Sequence, residues 1–366
     1  MVSVRSGVGG ESSYDILIGR GLLAQLPALL ATHCPSSTYV VISDSHVAPR
    51  YGESVMAGLR QAGHTTLLLT FPAGEWNKTR ETWSALSDRL VDAHVDRGGV
   101  VIALGGGVVG DLAGFVAATY LRGIRYIQVP TSLLAMLDSS IGGKTGVDLP
   151  QGKNLLGAFH QPRVVVADLE TLRTLPAPQF AAGMAEAIKH GVIADAEYFA
   201  GLERDHGRLV ERDAGALEQM VKRSVEIKAE VVAMDEREAG RRAILNFGHT
   251  IGHAIESTSG YGVLHGEAVA IGMAFEAQLA ERAGIAEAGT AKRIAQVLTR
   301  FSLPLELPDT PVDALIHAMR HDKKAQNGEL RLALPNRIGS MEIAAQRGWS
   351  VPVAESLMRE ILTSPP

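Results

Sequence analysis

A single cysteine, Cys34, stands in 366 residues, so the chain closes no intrachain disulfide and offers no cysteine-based metal site, which fits a reducing compartment. Neither sign of charge dominates. Thirty-five Lys and Arg face 40 Asp and Glu, a formal net charge of −5 with a pI near 6.2. No whole-chain field then recruits nucleic acid or an anionic membrane, and any anionic ligand needs a local basic cluster. Long apolar runs are missing too. The most apolar stretch, residues 100–110, is too short and too glycine-rich to span a bilayer, and the N-terminal MVSVRSGVGGESSYD has no signal-peptide core. A cytoplasmic chain with no nucleic-acid or membrane partner is expected. There is no internal repeat, low-complexity tract or long like-charge block, which argues against solenoid and tail-mediated binding architectures. Disorder is excluded by 46% hydrophobic and 20% charged residues at a mean hydropathy of +0.09, and the length suggests two domains.

What the chain has in excess is glycine, 39 residues, unevenly placed. Up to about residue 175, short β-branched runs at 39–43, 66–71, 100–104, 126–129 and 164–167 alternate with helix-like segments, the pattern of a parallel sheet covered on both faces. Beyond the Pro176 and Pro178 pair the strand signal stops and long runs of helical period follow, such as 217–234 and 267–284. The expected division is an α/β domain over 1–177 and an all-α domain over 178–366.

The strand 100–104 runs into GGGVVGD at 105–111, a GxGxxG arrangement between a strand and a helix. Side-chain-free residues there let backbone N–H groups approach a pyrophosphate at a helix N-terminus. The usual acid about 20 residues on is absent, and the first acid after Asp111 is Asp138. Asp44, ending the strand 39–43, is the better candidate for ribose hydroxyls.

NFGHTIGHAIE at 246–256 sets His249 and His253 at i, i+4 on one helix face. Thr250 stands where a zincin needs glutamate, so that chemistry is excluded. A third imidazole, His265, precedes another helix, and an earlier helix offers Glu186, Lys189 and His190 on one face. One carboxylate and two imidazoles suit a Zn²⁺ site with an open position. Spacing leaves open whether the set is Glu186, His249 and His265 or one that includes His253. Lys228 shares a helical face with Val221, Val225 and Val232, so it either snorkels or faces a site.

Residues 142–162, GGKTGVDLPQGKNLLGAFHQP, carry Lys144, Lys153 and Asn154 among glycines. As loop lysines and amides they suit a phosphate dianion, but not in the order of a P-loop. A second lysine pair, Lys323 and Lys324, follows a helix ending near residue 322.

Taken together, GGGVVGD at 105–111, PTSLLAMLD at 130–138, GGKTG at 142–146, GKN at 152–154, GMAE at 183–186 with Lys189, NFGHTIGHAIE at 246–256, LHGEAVAIGM at 264–273 and DKK at 322–324 resemble 3-dehydroquinate synthase, in consistent order from about Asp44 to Ile338. The resemblance implies an NAD-binding α/β domain, a helical metal domain and an active site in the cleft between them. It implies a lyase that converts 3-deoxy-D-arabino-heptulosonate 7-phosphate to 3-dehydroquinate and phosphate through transient oxidation by NAD, on the route to chorismate and aromatic amino acids. It makes Glu186, His249 and His265 the ligands of Zn²⁺ or Co²⁺. Lys144, Lys153, Asn154, His253 and Lys324 fall around the phosphate, with Arg122 reaching in from the second subunit of a homodimer. Asp138, Lys189 and Asn246 fall on substrate hydroxyls, Lys228 and Arg242 on the carboxylate, and Asp44, Glu75, Lys78, Gly106, Gly107 and Asp111 on NAD. Asp148 departs from the family's usual Asn, and its side chain is expected to face away from Lys144. The alternatives are another sugar phosphate cyclase, such as 2-deoxy-scyllo-inosose synthase, or a metal-dependent polyol dehydrogenase.

Overall fold

Strands that are apolar at every position are stable only where both faces of their sheet are covered, and the first half of the chain builds such a sheet. The computed structural model describes residues 1–6, 13–235, 240–260, 262–321, 330–343 and 348–364, and the chain divides into two compact units, Met1–Leu175 and Pro176–Pro366. In the first, the strands among the described residues are β1 (Val2–Ser6), β2 (Tyr14–Gly19), β3 (Thr38–Asp44), β4 (Thr65–Phe71), β5 (Val100–Gly105), β6 (Arg125–Pro130), β7 (Lys144–Leu149), β8 (Gly152–Phe159) and β9 (Val164–Asp168). Seven form one sheet in the order β1-β2-β9-β6-β5-β3-β4, parallel except where β1 meets β2.

Alternate residues of each strand point to opposite faces. Val41, Ile102 and Leu104 pack on one face with Leu22, Leu26 and Leu30 of α1 (Leu22–His33) and Val55 and Leu59 of α2 (Glu53–Gln61). Val40, Ile42, Val101 and Ala103 pack on the other with Leu86 and Leu90 of α3 (Arg80–Asp92) and Leu112, Phe115 and Val116 of α4 (Gly107–Thr119). Each such fully buried aliphatic side chain contributes about 1.5–3 kcal/mol of transfer free energy. After β3 the chain crosses outward to β4; after β5 it crosses the opposite way to β6. The carboxyl ends of β3 and β5 therefore flank a topological switch point, where open α/β sheets bind ligands.

Residues 144–159 form a two-stranded antiparallel hairpin, β7 with β8, rather than the loop read from the sequence. The glycines caused the misreading. Gly146 pairs with Gly157, and a Cβ on Gly157 would stand 2.2 Å from the Thr145 carbonyl oxygen, so these residues serve close strand approach.

The second unit is helical: α5 (Ala177–Ala194), α6 (Ala196–Arg204), α7 (His206–Val210), α8 (Ala214–Met234), α9 (His249–Thr258), α10 (His265–Arg282), α11 (Thr290–Arg300), α12 (Val312–His321) and α13 (Glu355–Leu362). Pro178 falls in the first turn of α5, where its missing N–H costs nothing. The Asp213 carboxylate caps α8 by accepting from the Ala216 N–H at 2.9 Å. The α9, α10, α12 and α13 helices bury Ile251, Ile255, Phe275, Leu279, Leu315, Met319 and Met358 in one core. Short strands absent from the helical reading of this half are also present among the described residues: β10 (Leu330–Leu332) pairs with β13 (Val351–Val353), and β11 (Pro335–Arg337) with β12 (Ser340–Met341). Segments of two or three residues are too short to carry a period. Among the described residues no helix is long and apolar enough to cross a membrane.

Candidate active site

The glycines after β5 separate into two kinds. A Cβ on Gly105 would meet Val109 Cγ2 at 2.4 Å and its Cβ at 2.6 Å, and one on Gly110 would meet the Gln128 amide at 2.7 Å, so both serve close packing. At Gly106 the nearest atom is Ser132 Oγ at 3.4 Å, ordinary contact, and α4 starts there without a side-chain cap. Backbone N–H groups at this end of α4 are thus placed to meet an anion. Asp44 ends the neighbouring strand, with Oδ1 accepting from the His46 and Val47 N–H groups at 2.8 and 2.9 Å. This fixes the carboxylate at the switch point.

Beside the start of α4, Lys78 is 3% exposed and collects acceptors from every side. Its Nζ lies 2.9 Å from Asn154 Oδ1, 3.0 Å from Glu75 Oε1, 3.3 Å from Asp111 Oδ2 and 3.5 Å from Asp148 Oδ1. Burial pulls the lysine pKa down, but Asp111, Glu75 and Asp148 outweigh it and hold the ammonium above its ordinary value. Burial pushes the Asp111 carboxyl up to about 6 in spite of Lys78. Asp148 is likewise raised, by burial first. Its side chain turns to this cluster, with Oδ1 accepting the Asn154 N–H at 2.8 Å, while its own N–H donates to the Lys78 carbonyl at 2.7 Å.

Asp148 thereby ties the hairpin to residue 78, and the hairpin carries the expected phosphate residues. Lys144 is exposed, Lys153 Nζ is 3.5 Å from Glu75 Oε1, and Asn154 takes a left-handed φ of 52°. Asp138 is half-buried after β6. Arg122 is exposed at the end of α4, in a turn where Leu121, Arg122 and Gly123 have φ of 50°, 66° and 115°. Two non-glycine residues in this region cost about 1–2 kcal/mol each, a strain found where a backbone is held for function.

In the second unit Glu186, on α5, is wholly buried, and neither carboxylate oxygen has a hydrogen-bond partner among the described residues. Charge surrounds it instead: Lys189 Nζ forms an ion pair with Oε2, and His249 Nε2 and His265 Nε2 lie 3.7 and 3.8 Å from Oε1. These separations are too long for hydrogen bonds. They lie near the spacing of about 3.4 Å between ligand atoms of a tetrahedral Zn²⁺. The Nδ1 of His249 donates to the Phe247 carbonyl at 3.1 Å, and that of His265 to Glu256 Oε2 at 3.2 Å. With Nδ1 donating, each neutral ring would carry its lone pair on Nε2, the nitrogen a metal ligand uses. The residues present fit a divalent cation, and Glu186, His249 and His265 have ligand atoms within 4.8 Å of one another. A second group, His253, Glu256 and His265, meets the same distance limit.

Glycine brings these helices together. A Cβ on Gly272 of α10 would sit 1.9 Å from the Gly248 carbonyl oxygen, and one on Gly266 would sit 2.0 Å from the Ala182 carbonyl of α5. The backbones of α5, α9 and α10 thus pass near contact where Glu186, His249 and His265 project. Glu276, fully buried on α10, accepts from the Gly248 and Ile251 N–H groups at 2.6 and 3.3 Å and so caps α9. Sequence reasoning missed Glu256 and Glu276. The signal for Glu276 was present: it is the lone acid within AVAIGMAFEAQLA, which buries almost every residue.

Lys189, Lys228 and Arg242 are buried, at 1%, 4% and 3% exposure, so Lys228 does not snorkel to open solvent. Asp235 Oδ2 accepts the N–H groups of Gly240 and Arg242 at 2.7 and 2.9 Å, fixing the turn that carries the guanidinium. Asn246 and His253 are half-buried, the His253 ring 5.4 Å from that of His249. Lys324 lies outside the described residues.

Residues 68–182 match the family described as 3-dehydroquinate synthase N-terminal and residues 183–325 the family described as 3-dehydroquinate synthase C-terminal. A 3-dehydroquinate synthase from Symbiobacterium thermophilum is 53% identical over 338 residues, covering 91% of this chain and 94% of the relative. Among solved structures, a 2-epi-5-epi-valiolone synthase from Streptomyces hygroscopicus subsp. jinggangensis 5008, with NAD⁺ and Zn²⁺ bound, is 31% identical with a TM-score of 0.88 over 98% of both chains. A 2-deoxy-scyllo-inosose synthase complexed with carbaglucose-6-phosphate, NAD⁺ and Co²⁺ is 26% identical with a TM-score of 0.88 over the whole of both chains.

Proposed function

The chain belongs to the 3-dehydroquinate synthase family, and from that premise we propose that it converts 3-deoxy-D-arabino-heptulosonate 7-phosphate to 3-dehydroquinate and inorganic phosphate. The reaction is a phosphate-eliminating cyclisation, a carbon–oxygen lyase step with no net redox change. It belongs to aromatic amino-acid biosynthesis by way of chorismate. The observation that carries this reading is a buried carboxylate, Glu186, facing the Nε2 atoms of two oriented histidines, in a chain half identical to a 3-dehydroquinate synthase.

A bound NAD⁺ would supply a reversible hydride acceptor, and a bound Zn²⁺ or Co²⁺ would supply a Lewis acid for the hydroxyl to be oxidised. Glu186, His249 and His265 hold the cation. Asp44 accepts from ribose hydroxyls, Gly106 and Gly107 present backbone N–H groups to the pyrophosphate, and Glu75, Lys78 and Asp111 complete the dinucleotide site. Lys144, Lys153, Asn154, His253 and Lys324 bind the phosphate dianion and stabilise it as it departs. Asp138, Lys189 and Asn246 orient hydroxyls. Lys228 and Arg242 take the substrate carboxylate, the group that distinguishes this substrate from those of the carboxylate-free cyclases. The strained, exposed Arg122 reaches the phosphate of a partner subunit in a homodimer. A cytoplasmic setting accords with the lone buried thiol, Cys34.

The test is phosphate release from 3-deoxy-D-arabino-heptulosonate 7-phosphate with catalytic NAD⁺, with and without a chelator, while absorbance is followed at 340 nm. Chelator-sensitive release without net NADH is expected. Stoichiometric NADH would instead indicate a polyol dehydrogenase, and no release from NAD- and zinc-loaded protein would indicate a cyclase for another sugar phosphate.

A further inference from the structure

His265 is held between two carboxylates, one at each ring nitrogen. Glu186 Oε1 lies 3.8 Å from Nε2, and Glu256 Oε2 accepts from Nδ1 at 3.2 Å. Glu256 stands on α9 seven residues after His249 and three after His253, so one helix face carries a proposed ligand, a second imidazole and this carboxylate.

The placement of Glu256 is costly in two ways. It is 2% exposed, and it lies in the last turn of α9, where the helix dipole disfavours negative charge and which itself holds no basic residue. Such a charge persists where a positive partner of comparable burial faces it. The imidazole N–H of His265 supplies one hydrogen bond, and a cation on the far side of the same ring would add to the stabilisation of the carboxylate. A carboxylate at Nδ1 also fixes the tautomer, aims the Nε2 lone pair and raises the basicity of the ring.

Resting on the ligand set proposed above, we infer that Glu256 is a positioning residue for the metal: by accepting the Nδ1 proton of His265 it sets the ring's orientation and donor strength without touching the ion. His249 receives the same service from a backbone carbonyl, that of Phe247. The two ligand histidines thus differ in support, and only that of His265 can be removed by substitution.

The experiment measures Zn²⁺ affinity by competition with a chromophoric chelator for the full-length wild type, Glu256→Gln, Glu256→Ala and Glu186→Ala. It is paired with the visible spectrum of the Co²⁺-loaded proteins and the melting temperature of each metal-free protein. Glu256→Ala is expected to bind Zn²⁺ about 10–100-fold more weakly, with Glu256→Gln, which keeps the volume and a neutral acceptor, between it and wild type. The Co²⁺ bands are expected to shift in both. Zn²⁺ affinity within twofold of wild type and an unmoved Co²⁺ spectrum in the folded Gln variant, with only the metal-free melting temperature lowered, would make Glu256 structural and overturn the inference. A second equivalent of Zn²⁺ bound by wild type and lost in Glu256→Gln would also overturn it, by making Glu256 a ligand together with His253 and His265. If Glu186→Ala keeps wild-type affinity, the ligand set itself is wrong, an outcome separate from either.

Discussion

Lys78 and Glu186 are both buried charges, but their surroundings differ in kind. Three carboxylates and an amide oxygen enclose the Lys78 ammonium at 2.9–3.5 Å, and a protein backbone N–H fixes one of those carboxylates in turn. Among the described residues neither oxygen of Glu186 has an aligned hydrogen-bond donor; the carboxylate is ion-paired with Lys189 and faces two imidazoles whose other nitrogens are anchored. The first cluster is balanced by protein groups and joins the start of α4 to the hairpin. The second, on the reading proposed above, is a donor set for a cation. Buried charge alone therefore does not mark a ligand site; the direction in which the neighbouring lone pairs point does.

The sharpest way to break this contrast is Glu186→Ala. If the second cluster is a donor set for a cation, the variant loses bound zinc, and phosphate release falls on the order of 10³-fold, since Lewis-acid stabilisation is worth several kcal/mol. Metal content by elemental analysis beside the activity assay checks it; a zinc-replete variant with low activity would assign Glu186 another role.

The opposite cluster is tested through folding. Lys78→Met leaves Glu75, Asp111 and Asp148 facing one another without their common cation, and breaking a buried ion pair from one side costs about 3–5 kcal/mol. Denaturant unfolding at neutral pH is expected to show this loss. The loss should shrink at acidic pH, because the Asp111 carboxyl, already pushed up to about 6 with Lys78 present, takes up a proton more readily without it. A loss that does not change with pH would mean that packing, not charge, dominates at Lys78.

These two clusters were not equally legible in the sequence. Residues 100–111 announce themselves, because a buried parallel strand is a continuous apolar run and the glycines follow it at once. Glu186, His249 and His265 were visible as residue types, but they sit on α5, α9 and α10, and helical spacing relates residues on one helix only. Choosing among the histidines needed the resemblance. The hairpin was misread because Gly146 and Gly157 look like loop residues when their pairing partner is unknown. Glu256 and Glu276 passed unnoticed for a similar reason: an acid on a helix reads as solvated until the neighbouring helix is placed over it.

A smaller effect is expected at Lys144, the exposed lysine at the start of the hairpin. If it stabilises the departing dianion as well as binding it, Lys144→Ala lowers kcat/KM about 10²-fold with kcat itself reduced. A rise in KM with kcat unchanged would restrict Lys144 to binding and leave elimination to the other basic residues.

The smallest expected effect distinguishes charge from hydrogen bonding within the Lys78 cluster. Asp148→Asn keeps an acceptor oxygen for the Asn154 N–H and for Lys78, while Glu75 and Asp111 still balance the ammonium. Burial raises the Asp148 carboxyl more than Lys78 lowers it, so the folded protein holds this proton to higher pH than the unfolded chain does. Stability is therefore lost as pH rises above the ordinary carboxylate range, and the amide removes that loss. The variant should match wild type near pH 4 and exceed it at pH 7 by about 1 kcal/mol or less, a rise of about 2 °C in melting temperature. A variant less stable at pH 7 than at pH 4, relative to wild type, would show that the Asp148 charge is needed by Lys78, and the cluster would then be balanced by three carboxylates rather than overfilled by them.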